Sequence, residues 1–289
     1  MSKWQKSPSR RQFLSGSAAA VAGSMSAGAA AAQTPDPLIT QVQDWASYAG
    51  DGVDEVRYGL PIRFEDDVVR RNVPWLTADP ISSINFTPIH ALDGTITPQG
   101  CAFERHHSGA IELRKQDYRL MVNGLVDRPI ILTYADLERL PRVNHVYFCE
   151  CAANTGMEWA GAQLNGAQFT HGMIHNMEYT GVPLRLVLQQ AGLAAAEDLS
   201  NKWVFVEGAD ASSNGRSIPM EKALDDVIVA FKANGEALRK EHGYPVRLVV
   251  PGWEGNLWVK WLRRIEVTDR SVESREETSK YTDVLANGI

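Results

Sequence analysis

Over roughly the first hundred residues the apolar positions follow neither a two-residue nor a helical period, and order begins near Tyr118. Apolar runs over 118–122 and 129–132 flank Asn123-Gly124 and predict two short strands joined by a turn at that pair. Thr133, with Asp136 three residues on, predicts a capping box that opens a short helix over 134–139. Alternation over 143–149 predicts a further strand. Pro183 predicts a helix start, with Leu184, Leu186, Val187 and Leu188 on the helix and Gly192 at its end. Runs over 203–206, 227–231, 246–250 and 259–267 predict the remaining strands. Strands and short helices interleave without regular βαβ spacing, which predicts an α+β fold of mixed sheets, short helices and long irregular loops. Six prolines fall within 36–110, and the segment 33–84 reads as an irregular N-terminal wrap.

Composition narrows the class. The 289 residues are 44% hydrophobic and 22% charged, a globular balance that excludes a disordered, collagen-like or coiled-coil chain. Lys plus Arg number 29 against 35 Asp plus Glu, a net charge of −6, so no basic field exists to gather nucleic acid. Three cysteines are too few for a disulfide-built fold. Neither a nucleotide-binding glycine fingerprint nor an internal repeat is present.

The first 32 residues read as a targeting segment. They hold Lys3, Lys6, Arg10 and Arg11 and no acid, and nine of the fifteen residues 18–32 are Ala. A basic head, a weakly apolar middle and a small-residue end make an export signal, with cleavage expected after Ala30-Ala31-Ala32. Ala, Gly and Ser supply too little transfer energy for a membrane anchor. Ser9-Arg10-Arg11-Gln12-Phe13-Leu14 resembles the twin-arginine signal, which predicts export of a folded protein to the periplasm and raises the expectation of a cofactor. Removing 1–32 takes away four bases and no acids, so the mature charge becomes 25 − 35 = −10.

The densest chemistry lies in Phe148-Cys149-Glu150-Cys151-Ala152-Ala153-Asn154-Thr155-Gly156-Met157-Glu158-Trp159, where a predicted strand runs into a small-residue loop. A thiolate there could be a soft ligand for a transition metal or a nucleophile, and the pair could equally be core thiols. Cys149 and Cys151 are too close in sequence for a relaxed disulfide, whereas Cys101 could pair with either. A zinc site from Cys149, Cys151, His171 and His175 has suitable residue types without the usual Cys-x-x-Cys spacing.

The segment resembles the molybdenum-binding loop of the sulfite oxidase family, in which one Cys of a Cys-x-x-Asn setting ligates the metal. The matching residues are Cys151 and Asn154, with Cys149 outside the pattern and structural. Phe103-Glu104-Arg105-His106-His107 resembles the family stretch that meets the pterin and substrate pocket. His242-Gly243-Tyr244-Pro245-Val246-Arg247 and Val259-Lys260-Trp261-Leu262 resemble two further signatures, and Asp210 with Ser217-Ile218-Pro219 a fourth. The resemblance implies a molybdopterin cofactor held by Phe103, Arg105, His107, Asp210, Ser217, His242, Arg247 and Lys260, with Cys151 on the metal. It also implies a catalytic set of Cys151, Arg105 as pocket cation and Tyr281 as hydrogen-bond donor. A pterin phosphate is a dianion, and Arg247, Lys260 and His242 are its expected cationic donors. The cluster of Trp253, Trp258 and Trp261 reads as core, and His106 and His145 as structural. The implied organisation is a signal at 1–32, the wrap at 33–84, a molybdopterin-binding catalytic domain at 85–270, and at 271–289 the start of a linker to an absent C-terminal dimerisation domain.

Two departures bear on substrate. The family's anion-gripping Arg, five residues after the ligand Cys, is replaced by Gly156, and a pocket Trp aligns with Phe169, which predicts a widened pocket. This variant pattern resembles the molybdenum subunits of Sox-type sulfane dehydrogenases, which oxidise sulfane sulfur held on a carrier protein's Cys. That likeness implies a sulfur-carrier partner, whose tether replaces the anion clamp, and electrons passed to a c-type cytochrome. No Cys-x-x-Cys-His occurs, so no c-type haem is expected on this chain. Homo-oligomers are expected only with the absent domain, and no nucleic acid partner or membrane anchor is expected. The alternatives are a sulfite:cytochrome c oxidoreductase of the same family and a non-enzymatic zinc or binding protein.

Overall fold

Short strands, few of them longer than six residues, dominate the computed structural model, which describes residues 59–77, 79–193 and 199–282. Residues 1–32, expected to be an export signal, therefore lie outside the described residues, as do 33–58 and 283–289. Strands β1 (Arg71–Asn72), β2 (Ser83–Phe86) and β3 (Arg105–His106) form a small antiparallel sheet at the start of the described chain. Three-residue 3₁₀ turns at Arg63–Glu65 and Pro74–Leu76 are the other regular structure there.

Two five-stranded sheets make the body. One runs β5 (Ile130–Thr133), β4 (Arg119–Gly124), β13 (Leu262–Thr268), β8 (Trp203–Gly208) and β9 (Gly215–Pro219). It is mixed, because β13 is parallel to β4 and antiparallel to β8. The other is antiparallel: β11 (Glu236–Ala237), β10 (Ile228–Ala233), β7 (Ile174–Pro183) and β6 (Val143–Glu150), with β12 (Arg247–Val249) also paired to β10. Helices are short and lie in the connections, at Tyr134–Glu138, Ala167–His171, Leu184–Gln190, Met220–Asp225 and Arg275–Ser279. This is the expected α+β class. Every second residue of β4 and β13 faces inward, so Leu120, Val122, Ile265 and Val267 are fully buried.

Local signals held where their chemistry is local. The Thr133 hydroxyl accepts the Asp136 N–H at 3.2 Å while the Asp136 carboxylate accepts the Thr133 N–H at 2.8 Å, the reciprocal pair of a capping box. Pro183 is the N-cap of Leu184–Gln190, and Gly192 follows the helix at φ +89°. The Asn123-Gly124 pair is a correction. It ends β4 and is not the turn, because β13 runs alongside it and a Cβ on Gly124 would lie 2.1 Å from the Val267 carbonyl oxygen. The ten-residue β7 was not foreseen at all.

Candidate functional site

The Cys151 loop is set by a net of main-chain and side-chain hydrogen bonds. Strand β6 ends at Glu150, and the Cys151 N–H donates to the Met173 carbonyl at 3.0 Å. Asn154 is the tie. Its N–H donates to the Cys151 carbonyl at 2.9 Å, its side-chain oxygen accepts the Met173 N–H at 3.0 Å, and its amide nitrogen donates to Glu150 Oε1 at 2.9 Å. Thr155 takes φ +64° and donates to the Thr170 carbonyl at 2.9 Å, which turns the loop away after four residues. The Cys-x-x-Asn spacing is therefore a clamp between the end of β6 and the residues leading into β7.

Cys151 faces a cavity whose walls come from far-apart segments. Phe103, Arg105 and His107 line it with Asp210, His242, Arg247, Lys260 and Tyr281. Of the residues expected at the cofactor, Ser217 alone is not brought there: its N–H donates to Glu277 Oε1 at 2.7 Å and its hydroxyl is 3.3 Å from the Val272 carbonyl. Trp258 and Trp261 are core residues that also line the cavity, whereas Trp253 is more than a third exposed and leaves the expected core cluster. Phe169 is buried against Phe86, with ring centroids 5.4 Å apart, and does not line the cavity, so nothing at that position widens it.

The cations of the lining hydrogen-bond to no carboxylate. Arg247 donates to the carbonyls of His242 and Trp258, each at 3.2 Å, and Lys260 to those of Arg105 at 2.9 Å and Glu241 at 2.8 Å. Arg105 donates to the Ser83 carbonyl at 3.1 Å and to that of His106. Every hydrogen bond of these three cations ends on a main-chain carbonyl, which leaves their charge for an anion. Burial draws the Lys260 ammonium down to about 8, with the nearby carboxylates of Glu104, Asp210 and Glu241 opposing. Glu104 itself is held near 2 because, against burial, it bonds His106 at 2.6 Å and faces Lys260.

His242 departs from its expected role. Burial draws it down to about 3, so it is neutral rather than cationic. Its Nε2 lies 3.3 Å from the Ala102 carbonyl and 3.2 Å from that of Phe103, which places the proton on Nε2 and leaves Nδ1 an acceptor. His175, which entered the sequence reading only as a zinc ligand, stands beside it, with ring centroids 6.0 Å apart. His175 stacks on Phe103 at 4.9 Å and meets the Tyr179 hydroxyl at 2.9 Å through Nε2. The zinc set does not assemble, since His171 is bonded to Thr170 at 2.6 Å and, among the described residues, no three His, Cys, Asp or Glu side chains are grouped to hold a metal. The three cysteines are free. Burial pushes the Cys149 thiol to about 12, and raises Cys151 too, though Arg105 and the Ala153 N–H oppose the rise there.

Four lining atoms are buried without a protein hydrogen-bond partner: His175 Nδ1, His242 Nδ1, Asp210 Oδ1 and Asn256 Oδ1. Each such atom costs about 1–3 kcal/mol when left unmatched, so four around one cavity mark a place built for a polar ligand. Asp210 and Asn256 offer acceptors to ring N–H groups, the three cations suit a phosphate dianion, and Cys151 offers a soft thiolate. This donor set fits a molybdopterin cofactor. Sequence reasoning missed Asn256 and Asn214, whose side chains carry no charge or motif to flag them.

Comparison with known proteins agrees. Residues 107–276 match the oxidoreductase molybdopterin binding domain family. The chain is 33% identical over 229 residues to mitochondrial sulfite oxidase of Mus musculus, covering 75% of this chain and 40% of that protein. It is 36% identical over 193 residues to the NADH nitrate reductase of Volvox carteri, covering 63% and 22%. The crystal structure of the sulfane dehydrogenase SoxCD from Paracoccus pantotrophus is similar at 68% identity and a TM-score of 0.77, covering 89% of this chain and 65% of that one. The chain thus spans well under half of these curated relatives and about two thirds of the solved chain. A clamped cysteine, a set of cations hydrogen-bonded to no carboxylate and a matched domain converge on one conclusion: the chain belongs to the sulfite oxidase family of molybdopterin-binding oxidoreductases, with a Sox-type relative among its structural neighbours.

Proposed function

We propose that the chain is the molybdenum-bearing part of a periplasmic sulfane dehydrogenase that oxidises sulfur carried on a partner protein's cysteine and passes electrons to a c-type cytochrome. The observation that carries this reading is the 68% identity to a sulfane dehydrogenase, twice the identity to the curated sulfite oxidases and nitrate reductases. The Gly156 position supports it. A Cβ there would meet only Trp159 Cε2, at 3.9 Å, so nothing occupies the place of an anion-gripping side chain. The twin-arginine-like head supports export to the periplasm.

In this reading Cys151 would hold the metal and Arg247 and Lys260 the cofactor's anionic end, with Phe103, Arg105, His107, Asp210 and His242 completing the cradle. When bound, that group supplies two-electron oxygen-atom chemistry at sulfur. Each turnover adds one oxygen atom from water to the sulfane sulfur and releases two protons and two electrons to the acceptor. Arg105, beside Cys151 and Tyr281, stabilises negative charge on the sulfur's oxygens. The Tyr281 hydroxyl donates to those oxygens, and burial keeps it protonated. His107, drawn down to about 4 by burial and by Arg105, is neutral and lies 3.5 Å from that hydroxyl, where it can accept a proton.

Protein purified from a molybdenum-replete host should contain molybdenum and reduce cytochrome c with a peptide-borne cysteine persulfide faster than with free sulfite. Stoichiometric zinc without molybdenum would sink the reading. Robust reduction by free sulfite alone would favour the second reading, a sulfite:cytochrome c oxidoreductase, which the 33% identity to a sulfite oxidase over 75% of the chain supports.

A further inference from the structure

Arg216 is a buried cation that the cofactor cradle does not use. It sits on β9, 7% exposed, and its Nε and Nη1 atoms have no hydrogen-bond partner. Its nearest carboxylate is Glu277, at 3.9 Å from Nε, beyond hydrogen-bond reach. That carboxylate is engaged elsewhere, accepting the Ser217 N–H at 2.7 Å, the Ser217 hydroxyl at 3.2 Å and the Ser274 hydroxyl at 3.3 Å. An arginine kept only for stability would be expected to take a bidentate carboxylate. This one instead lays its guanidinium over the ring of Tyr281, 5.4 Å from the centroid, within cation–π range.

The surrounding bonds explain why Ser217 is absent from the cavity. They stitch β9 to the segment that delivers Tyr281. The Ser274 hydroxyl donates to the Gly215 carbonyl at 2.7 Å and the Val272 N–H to Ser217 Oγ at 2.9 Å. Helix Arg275–Ser279 follows, and the Tyr281 N–H returns to the Glu276 carbonyl at 3.0 Å. The stitch fixes the backbone up to the helix. The Tyr281 ring beyond it is held laterally by Arg216 and by its hydroxyl's 3.5 Å approach to His107.

We propose that Arg216 is a positioning residue for Tyr281: its guanidinium, free of any hydrogen-bonded carboxylate, seats the phenol ring at the edge of the cavity so that the hydroxyl faces the substrate. This rests on the reading of Tyr281 as a substrate-facing donor. The Ser217–Glu277 stitch sets the segment's path, and Arg216 sets the ring's orientation within it.

The test uses the full-length, molybdenum-loaded protein with Arg216→Met and Arg216→Lys, each checked for wild-type molybdenum content and circular dichroism. With the peptide-borne persulfide as substrate, Arg216→Met should lose on the order of tenfold or more in kcat with KM little changed, the signature of misplacement rather than lost binding. Arg216→Lys should recover part of that loss. Independently of activity, proteins with ring-labelled tyrosine should show by NMR a shift and broadening confined to the Tyr281 resonance, assigned by Tyr281→Phe. A Tyr281 resonance unmoved in both variants would overturn the inference whatever the kinetics show, as would a lost kcat that Lys restores no better than Met. Wild-type protein inactive on persulfide would instead count against the proposed function, and the NMR arm would still decide the role of Arg216. Should Arg216→Met fail to fold, Arg216→Lys alone carries the same two readouts.

Discussion

Around Cys151 two walls are built by opposite rules, the lining of the cavity and the outer loop that follows the cysteine. On the cofactor side, Phe103, His175, His242, Arg247 and Trp258 are buried, and the cations are fixed by carbonyls of their own backbone. On the outer side, the loop that follows Cys151 does not line the cavity and leaves Trp159 80% exposed and Leu164 wholly exposed, with Gly161 and Gly166 at positive φ. A wall that must match one chemical group is rigid and orphan-rich. The outer loop keeps large apolar side chains in solvent, with no group of its own to match. The contrast teaches that cofactor identity and substrate identity are written in different parts of the chain and should respond separately to mutation.

The strongest test of that separation is at the point where the walls meet. Cys151→Ser should abolish molybdenum retention and bring activity to background, measured by elemental analysis and cytochrome c reduction, while Trp159→Ala should leave molybdenum content unchanged. Next in size, Arg247→Leu removes the donor from three buried carbonyls and should cost about 1–3 kcal/mol per carbonyl left unmatched, together with most of the bound pterin. Urea denaturation and pterin fluorescence would measure the two losses.

The pH response should also belong to the cavity's lining. Burial lowers His107 to about 4 and His242 to about 3, with His175 lower still than the 6.5 of a free imidazole. Below pH 6.5 the unfolded chain therefore binds protons that the folded chain refuses, and stability must fall as pH falls from 6.5 toward those values. Urea midpoints should drop between pH 7.5 and pH 5, and His175→Gln should flatten the slope. Glu104, held near 2, adds a second loss as pH falls through 4.5 toward 2. The smallest effect lies on the open wall. Gly156→Arg has room at its Cβ and should change stability by less than about 0.5 kcal/mol. It should improve KM for free sulfite about tenfold, the worth of one charge-assisted hydrogen bond. No gain for sulfite would mean that position 156 does not face the substrate.

Legibility followed the same division. Strands with apolar inward faces, such as β4, β8 and β13, could be read because burial and hydrophobicity coincide in them. Strand β7 could not, because its buried alternate positions begin with His175 and pass through Met177 and Tyr179 to Gly181, a polar start that hides the period. His175 was obscured for the reason it matters, as an inward-facing polar side chain at the cavity. The Cys151, Arg105, His107, Asp210, His242, Arg247, Lys260 and Tyr281 positions were legible only through the resemblance of their motifs to a known family, and the structure brings all of them to one cavity. Ser217 was misjudged because its hydroxyl serves a backbone stitch, which no spacing reveals. The charge state of His242 depends on burial that a motif cannot show.

The cavity draws its lining from Phe103 at one end to Tyr281 at the other, with Cys151, Asp210 and Lys260 between. A chain emerging from the ribosome cannot close that ring of residues until nearly two hundred of them have been added after the first. No nascent intermediate short of Tyr281 offers a finished cradle, whatever sheets it has already formed. Loading must consequently wait until synthesis has run at least past Tyr281, and any quality control that senses the filled cavity would in the same act sense that it has.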